Sequence, residues 1–159
     1  CGNRYSPEDA LLPGSFAGEG NKYGWSAVVN SVLQPAMGLR WLLCYEESDR
    51  DICHLQKAAP KHWFEAGESI QVEHCPTRFG QVSWTMQAIS SSQWRVQIAT
   101  SPNFTAQMVI HIHPPDRKPL RRASAGVVYA DRVVLPASAF AEGKPLDLVI
   151  STGTPPSAY

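Results

Sequence analysis

The stretch that most restricts the fold is "QVSWTMQAISSSQWRVQI", Gln81 to Ile98. Val82, Trp84, Met86 and Ala88 alternate with Ser83, Thr85 and Gln87, and a strand with that period turns one apolar face inward and one polar face outward. After "SSSQ" the pattern resumes, with Trp94, Val96 and Ile98 opposing Arg95 and Gln97, so the two segments predict an antiparallel hairpin. A hairpin with one apolar face needs a second layer to cover it.

Further short runs supply that layer. "FTAQMVIHIH" places Ala106, Met108, Ile110 and Ile112 on one face, and "AGVVYADRVVLP" forms a second hairpin turning near Ala130 and Asp131. "PLDLVIST", "DICHLQ" and "SIQVEH" complete about seven to eight strands, the count of an antiparallel β-sandwich. The predicted fold class is therefore mainly β.

Ahead of the strands the period changes. In "KYGWSAVVNSVLQPAMGLRWLLCYEE", Lys22 to Glu47, the residues Trp25, Val28, Val29, Val32, Ala36, Leu39 and Leu43 fall on one helical stripe. Leu33, Met37, Trp41 and Leu42 lie off it, so the helix is apolar over much of its circumference and is expected to be buried among several neighbours. Pro35 lacks a backbone donor and crowds the carbonyl of Ser31, which predicts a kink or break. Residues 1–21 hold Pro7, Pro13, Gly14, Gly18 and Gly20 without a sustained period. Two parts follow: 1–47, an irregular segment plus the final helix of an incomplete helical domain, and 48–159, the sandwich. Cys1 is read as the start of a fragment, the other reading being a lipidated N-terminus.

Lys+Arg and Asp+Glu are both 14 in 159 residues, so no overall field draws the chain to nucleic acid. The densest basic run, "DRKPLRR" at 116–122, is short and broken by Pro119, and reads as a solvated loop. No apolar run has the length of a membrane span. Cys1, Cys44, Cys53 and Cys75 lack the close paired spacing of a zinc ribbon or redox pair, and reduced thiols or one disulfide both remain open.

"IHIHPP" puts His111 and His113 on the face opposite Ile110 and Ile112, close enough to share a metal. Two ligands do not make a site. His54, His62 and His74 are scattered without a spacing that demands convergence, so no metal or cofactor is expected and the histidines read as an exposed strand face. No nucleophile elbow or phosphate loop is present, and Cys44 and Cys53 lie in apolar runs where thiols are inert. Glu8, Asp9 and Glu19 lie in the Gly/Pro-rich segment, where carboxylates can line a cleft, and sugar hydrolysis uses two such groups. "NFT", Asn103 to Thr105, fits a glycosylation sequon in a turn before a strand.

A resemblance adds to this reading. Leu39, Arg40, Leu43 and Glu46 fit the pattern "LRxxLxxE", and Pro60, Trp63, Gly67, Ile70, Val72, Pro76, Thr77, Phe79, Gly80, Val82 and Ser83 fit "LxxAxPxxWLxxGxxIxVxxAPTxFGxVSF". Both patterns resemble large bacterial glycoside-hydrolase-like proteins, and the likeness runs roughly from Trp25 to Leu135. It implies the C-terminal, accessory part of a carbohydrate-active enzyme: the last helices of an (α/α) toroid followed by a β-sandwich that buttresses it. Its implied partners are the upstream helical catalytic domain and a poly- or oligosaccharide, its implied location secreted or periplasmic, and catalysis by this chain alone is not expected. If an acid here reaches the cleft, Glu19 is the first candidate and Asp9 the second, with Trp25 as a sugar platform. The alternative is a stand-alone carbohydrate-binding or interaction module, with Trp94 or Tyr129 stacking on sugar.

Overall fold

The computed structural model describes residues 35–47, 49–141 and 143–153. Glu19, Asp9 and Trp25, the segment before Pro35, and Cys1 lie outside the described residues. A helix over residues 35–43 passes without a loop into β1 (Cys44–Glu46). Then follow β2 (Ile52–Leu55), β3 (Ser69–Thr77), β4 (Gly80–Ser90), β5 (Gln93–Thr100), β6 (Gln107–His111), β7 (Arg122–Ala123), β8 (Val127–Val128), β9 (Arg132–Leu135) and β10 (Leu146–Ser151). The unit that carries the strands is Leu42–Tyr159.

The fold is mainly β, with two five-stranded sheets consistent with a β-sandwich. Sheet A has the order β1-β2-β6-β9-β8 and is mixed, because β2 pairs with β6 in parallel. Sheet B has the order β3-β4-β5-β10-β7 and is antiparallel throughout. Two expectations need correction here. The sandwich is not wholly antiparallel, and its ten strands exceed the predicted count. Strand β1 was hidden because Cys44, Tyr45 and Glu46 continue a helical stripe in sequence, and β7 is only 2 residues long.

The alternation that predicted the central hairpin is realised. Val82, Met86, Trp94 and Val96 are fully buried and Trp84, Ala88 and Ile98 nearly so, with β4 and β5 in register from Val82↔Thr100 to Ala88↔Trp94 and a one-residue shift before Ser90↔Gln93. The turn falls between Ser90 and Gln93. Trp94 sits in the core with its Nε1–H donating to the Phe64 carbonyl at 3.0 Å, which satisfies the one polar atom of the ring. It therefore presents no platform to a ligand. Ala106, Met108, Ile110 and Ile112 are fully buried as well, and they join Leu55, Val133 and Leu148 in one core between the sheets. Cys44 and Cys53 are buried, with sulfurs 3.8 Å apart across β1 and β2.

The segment matching "APTxFG" is a structural turn. Thr77 Oγ1 donates to the Gly80 carbonyl at 2.5 Å and accepts from the Phe79 N–H at 3.2 Å, closing the β3–β4 hairpin. Gly80 has φ +121°, and a Cβ there would collide with Ser101 Oγ. Arg78 at its tip donates its backbone N–H to the Glu46 carboxylate at 2.9 Å, and its guanidinium donates to the carbonyls of Glu47 and Arg50. The turn of sheet B thus fastens the β1–β2 edge of sheet A.

Of the helix, Met37, Leu39 and Trp41 are 50%, 49% and 54% exposed. Among the described residues these side chains lack a complete apolar cover.

Candidate functional site

Register determines what meets on the outer face of sheet A. One row across the strands reads Tyr45, His54, Val109, Val134 and Val127, each paired to the next. The neighbouring row, Cys44, Leu55, Ile110, Val133 and Val128, points to the core instead. Because β2 and β6 run parallel with His54 opposite Val109, His111 stands two residues further along β6 on the same face as His54. Diagonal neighbours of that kind are within reach of a long or aromatic side chain.

The two imidazoles do meet. His54 Nδ1 lies 2.9 Å from His111 Nε2, and His54 Nε2 lies 2.8 Å from Glu47 Oε1. Chemistry fixes the direction of this chain of bonds. A carboxylate only accepts, so His54 carries its proton on Nε2 and, when neutral, accepts at Nδ1. His111 must then donate from Nε2, which leaves its Nδ1 as the unprotonated nitrogen of the series. His113 extends the cluster, its ring stacked 6.3 Å from that of His111 and its Nε2–H donating to the Gln56 carbonyl at 3.1 Å.

Both paired histidines are held neutral. Burial lowers the pKa of His54, opposed by the bond to Glu47 and reinforced by the charges of Lys57 and Arg132. Burial lowers His111 to about 4, with His54, His113 and Arg132 acting in the same direction and Asp131 against it. Gln56, fully buried with φ 60°, supports the cluster from behind. Donor and acceptor chemistry assigns its amide orientation: the nitrogen faces the His111 carbonyl at 3.2 Å as donor, and the oxygen accepts from Trp84 Nε1–H at 3.1 Å.

Over this face lies a groove of about 510 Å³, within the size range of small-ligand sites. Its polar and aromatic lining includes Glu47, His54, His111, Tyr129 and the three cations Arg50, Lys57 and Arg132. The Arg132 guanidinium lies 5.3 Å from the centre of the Tyr129 ring, and the Lys57 ammonium 4.5 Å from that of Tyr45.

The exposed strand face predicted for His111 and His113 is corrected: His111 is 5% exposed and bonded to His54, itself 8% exposed, and His113 is half-buried against the Gln56 carbonyl. Of the histidines that looked scattered in sequence, His54 joins His111. His62 stays on a 3-10 turn at Lys61–Phe64, and His74 in an exposed bulge of β3. Among the described residues, no three His, Cys, Asp or Glu side chains converge as a metal site would require. Glu47, Lys57 and Arg132 were missed in the sequence. An outward alternation places His54 and His111 on polar faces, yet nothing local says that those two faces adjoin. Compared with known proteins, the chain matches no family model, no curated protein and no solved structure.

Proposed function

We propose that this chain is the accessory β-sandwich portion of a carbohydrate-active enzyme, a glycoside hydrolase, and that it buttresses a helical catalytic domain. The observation that carries the reading is the helix at residues 35–43, which runs directly into β1 while Met37, Leu39 and Trp41 remain about half exposed. Such an apolar face is stabilised by packing against further helices. Catalysis then belongs to the helical domain and its loops, with Glu19 first and Asp9 second as candidate acids and Trp25 as a platform. A secreted or periplasmic location goes with this role.

The test compares this chain alone with the same chain joined to a helical domain encoded ahead of it, for glycosidase activity and for thermal stability. The reading expects activity only in the joined protein, and a loss of its stability when Leu39 and Trp41 are both changed to Ser. Activity from the chain alone overturns it, as does the absence of any helical pattern ahead of Cys1. A stand-alone carbohydrate-binding module is the second reading, favoured by Tyr129, which is 48% exposed beside the groove.

A further inference from the structure

Charge on the outer faces of the two sheets is handled differently. On sheet B, Arg95 reaches diagonally to Asp147 on the paired strand, where Asp147 stands opposite Gln97, and its Nε donates to both carboxylate oxygens at 2.9 and 3.1 Å. That cation is fully engaged by its own protein. In the groove of sheet A, Arg50, Lys57 and Arg132 share the lining with a single carboxylate, Glu47. Glu47 is already committed to His54 at 2.8 Å and reaches Arg50 only at 4.0 Å. Among the described residues Lys57 meets the Tyr45 ring and no carboxylate. Beside the Tyr129 ring, Arg132 has among the described residues one loose carboxylate contact, 3.5 Å from its sequence neighbour Asp131, and no hydrogen bond from the rest of its planar donor fork. In a chain with equal numbers of acidic and basic residues, this is a local excess of positive charge inside a concave, aromatic-edged surface.

We propose that this groove binds an acidic saccharide, with Arg132 and Lys57 receiving a carboxylate and the Tyr129 ring lying against a sugar ring. The saccharide rests on the carbohydrate reading above, whereas the negative charge rests on the groove alone. The fork of Arg132 suits bidentate carboxylate recognition, and Lys57 adds a point charge across the groove. A half-exposed tyrosine offers an apolar ring face and a polar rim, the combination that a hydroxylated ring requires. The neutral His54–His111 pair forms a polar floor that contributes no charge near pH 7.

Isothermal titration calorimetry of the chain with trigalacturonate, neutral maltotriose and inorganic sulfate tests this. Trigalacturonate is expected to bind, with an affinity that falls as salt is raised. Arg132→Gln and Lys57→Gln, each confirmed as folded by circular dichroism, should each weaken it by about tenfold. No binding, or binding indifferent to both substitutions, overturns the proposal. Maltotriose equal to trigalacturonate removes the role of charge, and sulfate equal to it removes the saccharide. The activity comparison described above reads the joined helical domain, so it fails or succeeds independently of the groove.

Discussion

Sheets A and B have the same number of strands but are assembled differently. Three consecutive strands of sheet B, β3 to β5, follow one another through tight hairpins, and every pairing in the sheet is antiparallel. Its outward face holds Gln71, Thr85, Gln87, Arg95, Gln97 and Asp147, polar side chains at least partly open to solvent, with a smaller pocket of about 300 Å³ over Gln71, Thr85 and Gln97. Sheet A instead joins β2 to β6 in parallel across more than fifty residues, and its outward face buries two histidines behind a groove. Local pairing leaves an outer face free to follow simple alternation. Non-local pairing brings polar groups from distant segments together, and there they need one another as partners.

The sharpest way to break this contrast is through the shared core. Trp94→Ala removes a fully buried ring and its bond to the Phe64 carbonyl, and should cost about 3–5 kcal/mol in urea denaturation. A loss below 1 kcal/mol, on the order of a surface substitution, would show that Trp94 is not in the core.

The next effect separates the two outer faces by pH. His111 has a folded pKa of about 4 against an ordinary 6.5, so between those values the unfolded chain binds more protons and stability rises with pH. Its contribution is complete above pH 6.5 and is lost as pH falls toward 4, by about 3 kcal/mol over that interval. His111→Gln should flatten this slope in denaturation measured at stepped pH. An unchanged slope would mean that the pair protonates freely in the folded state. The assigned tautomers have their own readout: nitrogen-15 spectra near pH 7 should show both rings protonated at Nε2, and an Nδ1–H on either ring breaks the chain from Glu47.

The turn of sheet B comes third. Gly80→Ala places a Cβ at φ +121° against Ser101 Oγ and should cost about 1–3 kcal/mol, lowering the melting temperature. A neutral result would mean that the hairpin relaxes without strain. Smallest is Asp147→Asn: its ion pair with Arg95 is solvent-exposed, so the denaturation midpoint should move little and less still at high salt. A large, salt-resistant shift would show that sheet B's outer face is no simple solvated surface.

Much of sheet B was legible in the sequence. Trp84, Met86, Trp94 and Val96 alternate with polar residues across a short Ser-rich turn, and local period and local turn together specify a hairpin. The inward set of β6, Met108 and Ile110, was legible for the same reason. The helical stripe concealed β1, since Cys44 and Tyr45 fit either period and only pairing with β2 decides between them. In the candidate site His111 drew notice through "IHIH", but its partner was taken for an unrelated histidine 57 positions away.

By itself, then, the sequence determined the inward and outward sides of the strands, because side-chain direction has a period of two and needs no knowledge of neighbours. It also determined where β4 and β5 turn. Only the tertiary structure decided that β2 lies parallel to β6 with His54 opposite Val109. That register is a choice among long-range pairings, stabilised by burying Leu55 against Ile110, and no local pattern encodes it. The Glu47–His54–His111 chain and the basic groove follow from that register, which places their side chains on one face.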